Sequence, residues 1–230
     1  MTGAFVLATG NADKAREIVE ILGRGAQETL EIAPLDVCEG AAAYMVAPAA
    51  LMADVVAALP ELGEPPDVEE TGATIEENAR IKAAGWCMAF GLPAIADDTG
   101  LDVDALGGEP GVRSARYAGE GASYAENVAK LVAEMEGVEP EGRTCRFATV
   151  ALAYFPDGHE VVSLGTVEGV VADEPRGEQG FGYDPVFVPV GGDGRTFAQM
   201  SPAEKHAISH RGRAFRALAA SLGNGIGTGG

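Results

Sequence analysis

The chain has 230 residues, of which 47% are apolar and 22% are charged, and its formal net charge at pH 7 is -19. Such a length can bury a substantial core, as one large domain or two small lobes. The negative charge disfavours a DNA, RNA or anionic membrane partner, and no run of about 20 uncharged apolar residues predicts a membrane span.

The three cysteines, Cys38, Cys87 and Cys145, are far apart, odd in number and without metal-ligand spacing. They predict reduced, buried thiols in a cytoplasmic protein. Nothing resembles a signal peptide, because Met1–Gly3 leads directly into a strand pattern.

The first predicted strand, Phe5–Ala8, runs into a Gly-containing loop and then a helix with a lysine in its first turn. Backbone N–H groups and the helix dipole of such a unit bind phosphate, although this is not the Walker pattern and an ordinary βα turn looks similar. The candidate phosphate-binding residues are Thr9, Gly10, Asn11, Ala12, Asp13 and Lys14.

Leu30–Ala33 is a predicted second strand, and residues 36–68 follow as an Ala-rich segment punctuated by proline. Pro48 and Asp54 interrupt its apolar run, so the pattern predicts one or two short surface helices, chiefly Pro48–Leu59. We expect this segment to be an accessory structural element.

Thr74 and Glu77 form a capping-box pattern for a helix that runs to about Phe90. Asn78 and Lys82 are four residues apart, so they share one face of that helix. Lysine is a common partner of phosphate. Lys82 is one of four lysines, the others being Lys14, Lys130 and Lys205.

The stretch Pro93–Gly100 combines small apolar residues with two adjacent carboxylates, Asp97 and Asp98. We interpret it as a strand that ends at these acids, at the sheet edge where α/β folds bind ligands, with an ordinary turn as the alternative. Adjacent strand residues point to opposite faces, so the two acids should have different roles. Glu70 beside Asp98 would suit Mg²⁺, or Glu70 is an exposed acid near a helix N-terminus.

In the second half, Ser123 and Glu126 cap a predicted helix that reaches about Met135, and residues 144–155 and 160–171 predict a hairpin. A Gly-rich loop then presents Phe181 and Tyr183 before the strand Val186–Val188. Loop aromatics can stack on a nucleobase, and core filling is the alternative.

Ser201–Glu204 is a capping box for a last helix that carries Lys205 and His210. On an unbroken helix these two side chains would lie about 140° apart, so a shared ligand requires a bend, which we place near Gly212. The tail from Gly223 is Gly-rich and predicted to be disordered.

Together these motifs make the chain resemble the inosine triphosphate pyrophosphatase family, specifically its bacterial dITP/XTP type. The matching stretches occur in the family's order, whereas residues 36–68 have no counterpart. They are Thr9–Lys14, Glu70–Lys82, Pro93–Tyr117, Phe181–Asp184 and Ser201–Gly212.

The resemblance implies a mixed α/β fold: a long central sheet with flanking helices, and two lobes around a nucleotide cleft, usually as a homodimer. It implies Mg²⁺-dependent hydrolysis of noncanonical purine nucleoside triphosphates to monophosphate and pyrophosphate. Glu70 and Asp98 would bind the metal, and Asp98 would also accept a proton. The substrate-binding residues implied, besides Thr9–Lys14, are Lys82, Thr99, Phe181, Gly182, Tyr183, Asp184, Lys205, His210 and Arg211.

Three other interpretations remain open from the sequence. The chain could be a related pyrophosphatase of modified pyrimidine nucleotides or nucleoside diphosphates, which the products would distinguish. It could be a nucleotide sensor without catalysis, although Glu70 and Asp98 argue against that. A structural or interaction protein would leave the grouping of lysines and acids in motifs unexplained.

Overall fold

The computed structural model describes residues 4–25, 30–35, 43–48 and 66–224. Its strands are β1 Phe5–Leu7, β2 Leu30–Leu35, β3 Ala43–Pro48, β4 Ala94–Val103, β5 Pro110–Gly111, β6 Thr144–Tyr154, β7 Glu160–Val171 and β8 Phe187–Pro189. Its α-helices within that part of the chain are α1 Ala12–Gly25, α2 Ile75–Phe90, α3 Tyr124–Glu134, α4 Pro202–Ile208 and α5 His210–Asn224.

The strands form a mixed sheet in the order β2-β3-β1-β4-β6-β7-β8, with β5 paired to β4. β1 runs parallel to β4, and β3 runs antiparallel to both β1 and β2. The predicted mixed α/β class is confirmed, as are the helix after Thr74, the helix after Ser123 and the two long strands β6 and β7.

β4 does not end at the paired acids, so that part of the sequence interpretation is wrong. The strand continues through Asp97 and Asp98 to Val103, and its later residues pair with β5. The neighbouring parallel strand β1 is the one that stops, since its Leu7 pairs with Ile95. The two acids therefore lie just past the carboxyl end of β1, next to the loop that follows β1, which is where α/β sheets usually bind ligands.

The described residues divide into two compact units. The first contains those within 1–98, 150–164 and 214–224, and the second contains 99–149 and 165–213. The boundary falls within β4, between Asp98 and Thr99, and strands β6 and β7 likewise contribute residues to both units.

In the first unit, strand alternation separates two apolar clusters. Phe5, Leu7 and Ile95 pack in the cluster that contains Ile18 of α1, together with residues of α5. The intervening residues Val6, Ala94 and Ala96 pack in the cluster that contains Ala79 and Ala83 of α2. Because successive strand residues face opposite sides, α1 and α2 cover opposite faces of β1 and β4.

The second unit has its own core, in which Leu131 of α3 meets aromatic residues of β6 and β8. Phe147 and Phe187 have ring centroids 4.6 Å apart, and Phe187 and Phe197 are 4.9 Å apart. The buried Arg143 guanidinium donates to the carbonyls of Met135, Val171 and Ala172, so it ties the end of α3 to the end of β7.

The prediction for residues 36–68 needs correction. Ala43–Pro48 forms a strand, β3, and Met45 and Val46 are fully buried, because β3 lies between β1 and β2. Tertiary pairing has overridden a composition that favoured surface helices. The rest of the predicted helix Pro48–Leu59 lies outside the described residues, whereas Pro48 itself ends β3.

The predicted break in the last helix is confirmed, but it occurs at Ser209 and not near Gly212. Ser209 has an extended backbone, with φ -67° and ψ 156°, and its N–H donates to the Lys205 carbonyl. Its hydroxyl accepts from the Gly212 N–H, so one residue ends α4 and caps α5. α5 continues to Asn224, so residues 223–224 of the predicted tail are helical, and 225–230 lie outside the described residues. None of the described helices is long and apolar enough to cross a membrane.

The core position of β3 is testable by truncation of one methionine. Met45→Ala should lower the free energy of unfolding by about 2–5 kcal/mol, because Met45 is 1% exposed and truncation leaves a cavity. Met88→Ala is the matched control, since Met88 is 76% exposed and should change stability by less than about 0.5 kcal/mol. Urea unfolding of both variants checks this, and equal effects would contradict a buried β3.

Candidate functional site

The loop after β1 is organised by the Asn11 side chain. Its Oδ1 accepts from the N–H groups of Asp13 and Lys14 at 3.0 and 3.1 Å, so Asn11 caps α1, and the Asn11 N–H donates to Thr9 Oγ1. Thr9 is buried and Gly10 is exposed. Two N–H groups at the start of α1 are thus already bonded, and Lys14 adds a positive charge to the same turn.

Lys14 reaches the first acid of β4. Its Nζ lies 3.5 Å from Asp97 Oδ2, and the Asp97 side chain is 1% exposed while that of Lys14 is 17% exposed. Asp97 thus lies on the α1 face of β4, as the alternation of the strand requires.

Asp98 faces the opposite side, toward α2. Its Oδ2 accepts from Asn78 Nδ2 at 3.2 Å, and Asn78 Oδ1 in turn accepts from the Gly72 N–H at 2.8 Å. A Cβ at Gly72 would lie 2.6 Å from Asn78 Oδ1, so only glycine fits there. The expectation that Asp97 and Asp98 have different surroundings is confirmed, and Asn78 emerges as the residue that orients Asp98.

Lys82 interacts with the acidic residues of the first unit. Its Nζ lies 3.0 Å from Glu70 Oε1 and 3.0 Å from the Asp97 carbonyl oxygen. Burial alone would lower the pKa of Lys82, but the charges of Glu70, Asp97 and Asp98 outweigh it and raise that pKa. Lys82 therefore stays positively charged beside the acids.

The Asp98 carboxyl has a perturbed pKa. Burial raises it above its ordinary value, and the negative charges of Glu70 and Asp97 add to that effect against the lowering by Lys14 and Lys82. A carboxylate held in such surroundings gains from an added cation, and it is a stronger proton acceptor than a solvated one.

The donors of the first unit fit a magnesium ion. Glu70 and Asp98 offer hard carboxylate oxygens around the same lysine, and Glu70 keeps a third of its side chain exposed. Among the described residues no group of three or more His, Cys, Asp or Glu is arranged for a metal. Few protein ligands, with the remainder from water and phosphate, is the usual pattern for Mg²⁺.

In the second unit, the Asp184 carboxylate holds two other candidate residues in place. Its Oδ2 accepts from Lys205 Nζ at 2.5 Å and from the Phe181 N–H at 2.9 Å. Lys205 Nζ also lies 5.1 Å from the centroid of the Phe181 ring. Asp184 and Lys205 are both buried, so this ion pair is shielded from solvent.

Phe181, Gly182 and Tyr183 have different surroundings. Phe181 is half-buried, with Tyr124 5.7 Å from its ring and the Arg211 guanidinium carbon 5.4 Å from it, and the neighbouring Gly182 is half-buried too. Tyr183 is buried in the core, and its hydroxyl donates to the Ser114 carbonyl at 2.9 Å. Burial raises the pKa of Tyr183, so its hydroxyl remains a donor. The core-filling alternative therefore describes the Tyr183 ring.

The helix break at Ser209 places His210 and Arg211 in the same unit as this loop. The His210 ring stacks on Phe147, with centroids 4.3 Å apart. Arg211 Nη2 donates to Thr99 Oγ1 at 3.1 Å, and that hydroxyl is 2.7 Å from Thr149 Oγ1. Both His210 and Arg211 are buried.

Each unit thus assembles one part of the predicted set. The sequence singled out Asn78 only for its helix face and did not single out Thr149 at all. The first unit holds Thr9, Gly10, Asn11, Ala12, Asp13, Lys14, Glu70, Lys82 and Asp98, and the second holds Thr99, Phe181, Gly182, Tyr183, Asp184, Lys205, His210 and Arg211.

Comparison with known proteins gives a consistent picture. The Ham1 family model matches residues 5–221. The dITP/XTP pyrophosphatase of Nocardia farcinica is 44% identical over 96% of each chain, and that of Bacillus licheniformis is 51% identical over 73% of this chain and 85% of its own. A solved Ham1 protein from Coxiella burnetii has a TM-score of 0.72, with 36% identity over 95% of this chain and 97% of its own.

The Asp184 contacts can be tested with a pair of glycines. Gly180 and Gly182 both have positive φ, at 72° and 62°. Alanine at either position should therefore lower the free energy of unfolding by about 1–2 kcal/mol through backbone strain. A Cβ at Gly180 would also lie 2.0 Å from Asp184 Oδ2, whereas one at Gly182 meets nothing within 4 Å. In urea unfolding, Gly180→Ala should therefore lower the free energy of unfolding by about 1–3 kcal/mol more than Gly182→Ala does. Equal decreases in the free energy of unfolding would show that the Asp184 side chain can shift away from the added methyl group.

Proposed function

Because this chain belongs to the Ham1 family, we propose that it is a nucleoside triphosphate pyrophosphohydrolase that converts ITP, dITP and XTP to the monophosphate and pyrophosphate. The observation that carries the proposal is the buried Asp98 carboxylate, whose pKa is raised and which Asn78 orients beside Lys82 and Glu70. Two lysines and at least two carboxylates in one compact unit suit a reaction on a polyphosphate.

In this proposal the residues of the first unit act on the triphosphate. Lys14 and Lys82 would attract phosphate oxygens, and Asn78 keeps Asp98 in the orientation from which it accepts the proton of the attacking water. Glu70 and Asp98 would hold Mg²⁺, which when bound supplies positive charge to the phosphoryl oxygens. Asp97 is a supporting residue, since its carboxylate is buried against Lys14.

The residues of the second unit would recognise a purine base. Phe181 offers a ring for stacking, and His210 and Arg211 offer N–H donors suited to the 6-oxo group of hypoxanthine or xanthine. Adenine presents an amino group at that position and would leave donors unpaired, at a cost of about 1–3 kcal/mol for each buried group. Thr99 and Lys205 complete this set, with Asp184 anchoring Lys205.

We also propose a cytoplasmic homodimer. The buried free thiols of Cys87 and Cys145 support a reducing compartment. The family resemblance supports the dimer, and light scattering of the purified protein tests it.

The proposed reaction has a direct test. With Mg²⁺, the purified protein should release pyrophosphate from ITP, dITP and XTP at least tenfold faster than from ATP, because the 6-amino group of adenine leaves the buried donors unpaired. The family resemblance predicts a preference over GTP as well, although guanine carries the same 6-oxo group and these donors do not discriminate against it. Excess EDTA should abolish turnover, and added Mg²⁺ should restore it. Separate detection of pyrophosphate and orthophosphate is essential, since orthophosphate as the first product, or equal rates with ATP, would refute the proposal.

The two adjacent acids should respond differently to substitution. Asp98→Asn is nearly isosteric and should lower kcat by about 10²–10⁴, because it removes the proposed base and a metal ligand together. The melting temperature should change little. Asp97→Asn serves as the matched control, because its side chain faces α1 and should act mainly through Lys14, with measurable turnover retained. Loss of activity in Asp97→Asn with full activity in Asp98→Asn would reverse the assignment.

A further inference from the structure

A chain of polar contacts in the second unit ends on a residue that the reaction does not yet use. Arg211 Nη2 donates to Thr99 Oγ1 at 3.1 Å, and Thr99 Oγ1 lies 2.7 Å from Thr149 Oγ1. Thr149 lies in β6 and is 0% exposed, and Arg211 is 2% exposed. The Arg211 guanidinium carbon is also 5.4 Å from the Phe181 ring centroid, so the contacts reach the loop proposed to stack on the base.

The Thr99 hydroxyl has two fixed neighbours, and their chemistry limits what it can do. Arginine can only donate, so Thr99 Oγ1 must accept the bond from Arg211. Either threonine can donate in the other bond. If Thr149 donates, Thr99 Oγ1 accepts both bonds; if Thr99 donates, its hydroxyl hydrogen points at Thr149. In both cases the partners, on β6 and α5, hold the Thr99 side chain in one rotamer.

The position of Thr99 in β4 makes this rotamer relevant to the reaction. Thr99 follows directly after Asp98, and both belong to the continuous strand Ala94–Val103. A change in the Thr99 rotamer would move the oxygen that accepts a hydrogen bond from Arg211, at the residue next to the proposed base. A network of this kind links the residues proposed for base recognition to the residue beside the chemistry.

We propose that Thr149 is a positioning residue of the pyrophosphohydrolase reaction. It does not touch the nucleotide, and it acts by holding the Thr99 hydroxyl, and through Thr99 the Arg211 guanidinium, in their working positions. The inference rests on the function proposed above. It predicts that the Thr149 hydroxyl contributes to turnover and base selection, beyond its contribution to stability.

The test compares isosteric and conservative variants with a matched control. Thr149→Val removes the hydroxyl and keeps the branched shape, whereas Thr149→Ser keeps the hydroxyl. Thr196→Val is the control, because Thr196 is also 0% exposed in the second unit and its hydroxyl donates to the Arg176 carbonyl at 2.6 Å, away from Thr99. For each protein, kcat and KM are measured for dITP and dATP by pyrophosphate release, together with the melting temperature.

Thr149→Val should lower kcat for dITP about fivefold to tenfold, the usual effect of one buried hydrogen bond, with KM changed less than about threefold. The ratio of kcat/KM for dITP to that for dATP should fall as well, because Arg211 would no longer be held where it donates to the 6-oxo group. Thr149→Ser should restore both to within about twofold of the unaltered protein. Thr196→Val should lower the melting temperature without changing the dITP-to-dATP ratio.

The dependence on Thr99 is checked by a double-substitution cycle. In a Thr99→Val background, Thr149→Val should have no further effect on kcat, because the hydroxyl that it positions is gone. Full additivity, or an unchanged kcat in Thr149→Val, would overturn the inference while leaving the proposed function intact. Failure of Thr149→Val and Thr149→Ala to fold, with Thr196→Val folded, would assign Thr149 a purely structural role. An unaltered protein that releases no pyrophosphate from dITP would instead refute the function itself.

Discussion

The alternation of side chains along β4 is the constraint on which the first unit depends. Ile95 and Asp97 belong to the face covered by α1, whereas Ala96 and Asp98 belong to the face covered by α2. One strand therefore fills two apolar clusters and then delivers one carboxylate to each side just past the end of β1. Slipping the register by a single residue would exchange Asp97 and Asp98 and bury apolar side chains on the wrong faces.

The pairing of lysines with acids is the second constraint, because the chain has a net charge of -19 and only four lysines. Three of its four lysines contact acids inside the candidate sets: Lys14 with Asp97, Lys82 with Glu70 and Lys205 with Asp184. In each pair the opposite charge offsets part of the desolvation cost that burial imposes. Asp98 has no such close lysine among its direct hydrogen bonds and accepts from an amide, which agrees with its raised pKa.

The helix break at Ser209 positions the candidate residues of the second unit, as the alternation of strand residues positions those of the first. By ending α4 and capping α5, Ser209 changes the direction in which the following side chains project. His210 can then stack on Phe147 while Arg211 reaches Thr99, and Lys205 on the preceding helix bonds to Asp184. A continuous helix would have separated Lys205 and His210 by about 140°.

The sequence by itself determined whatever depends on local chemistry: the capped helices after Thr74, Ser123 and Ser201, the opposite facing of Asp97 and Asp98, and the need for a break in the last helix between Lys205 and Arg213, although not its position at Ser209. It supported the mixed α/β class and the motif residues. It misplaced the end of β4 and took Ala43–Pro48 for helix, because strand length and pairing depend on neighbours that are distant in the chain. The contacts of Asn78 and Thr149 were likewise decided by tertiary structure alone, since partners 20 and 50 residues away meet only when the sheet forms.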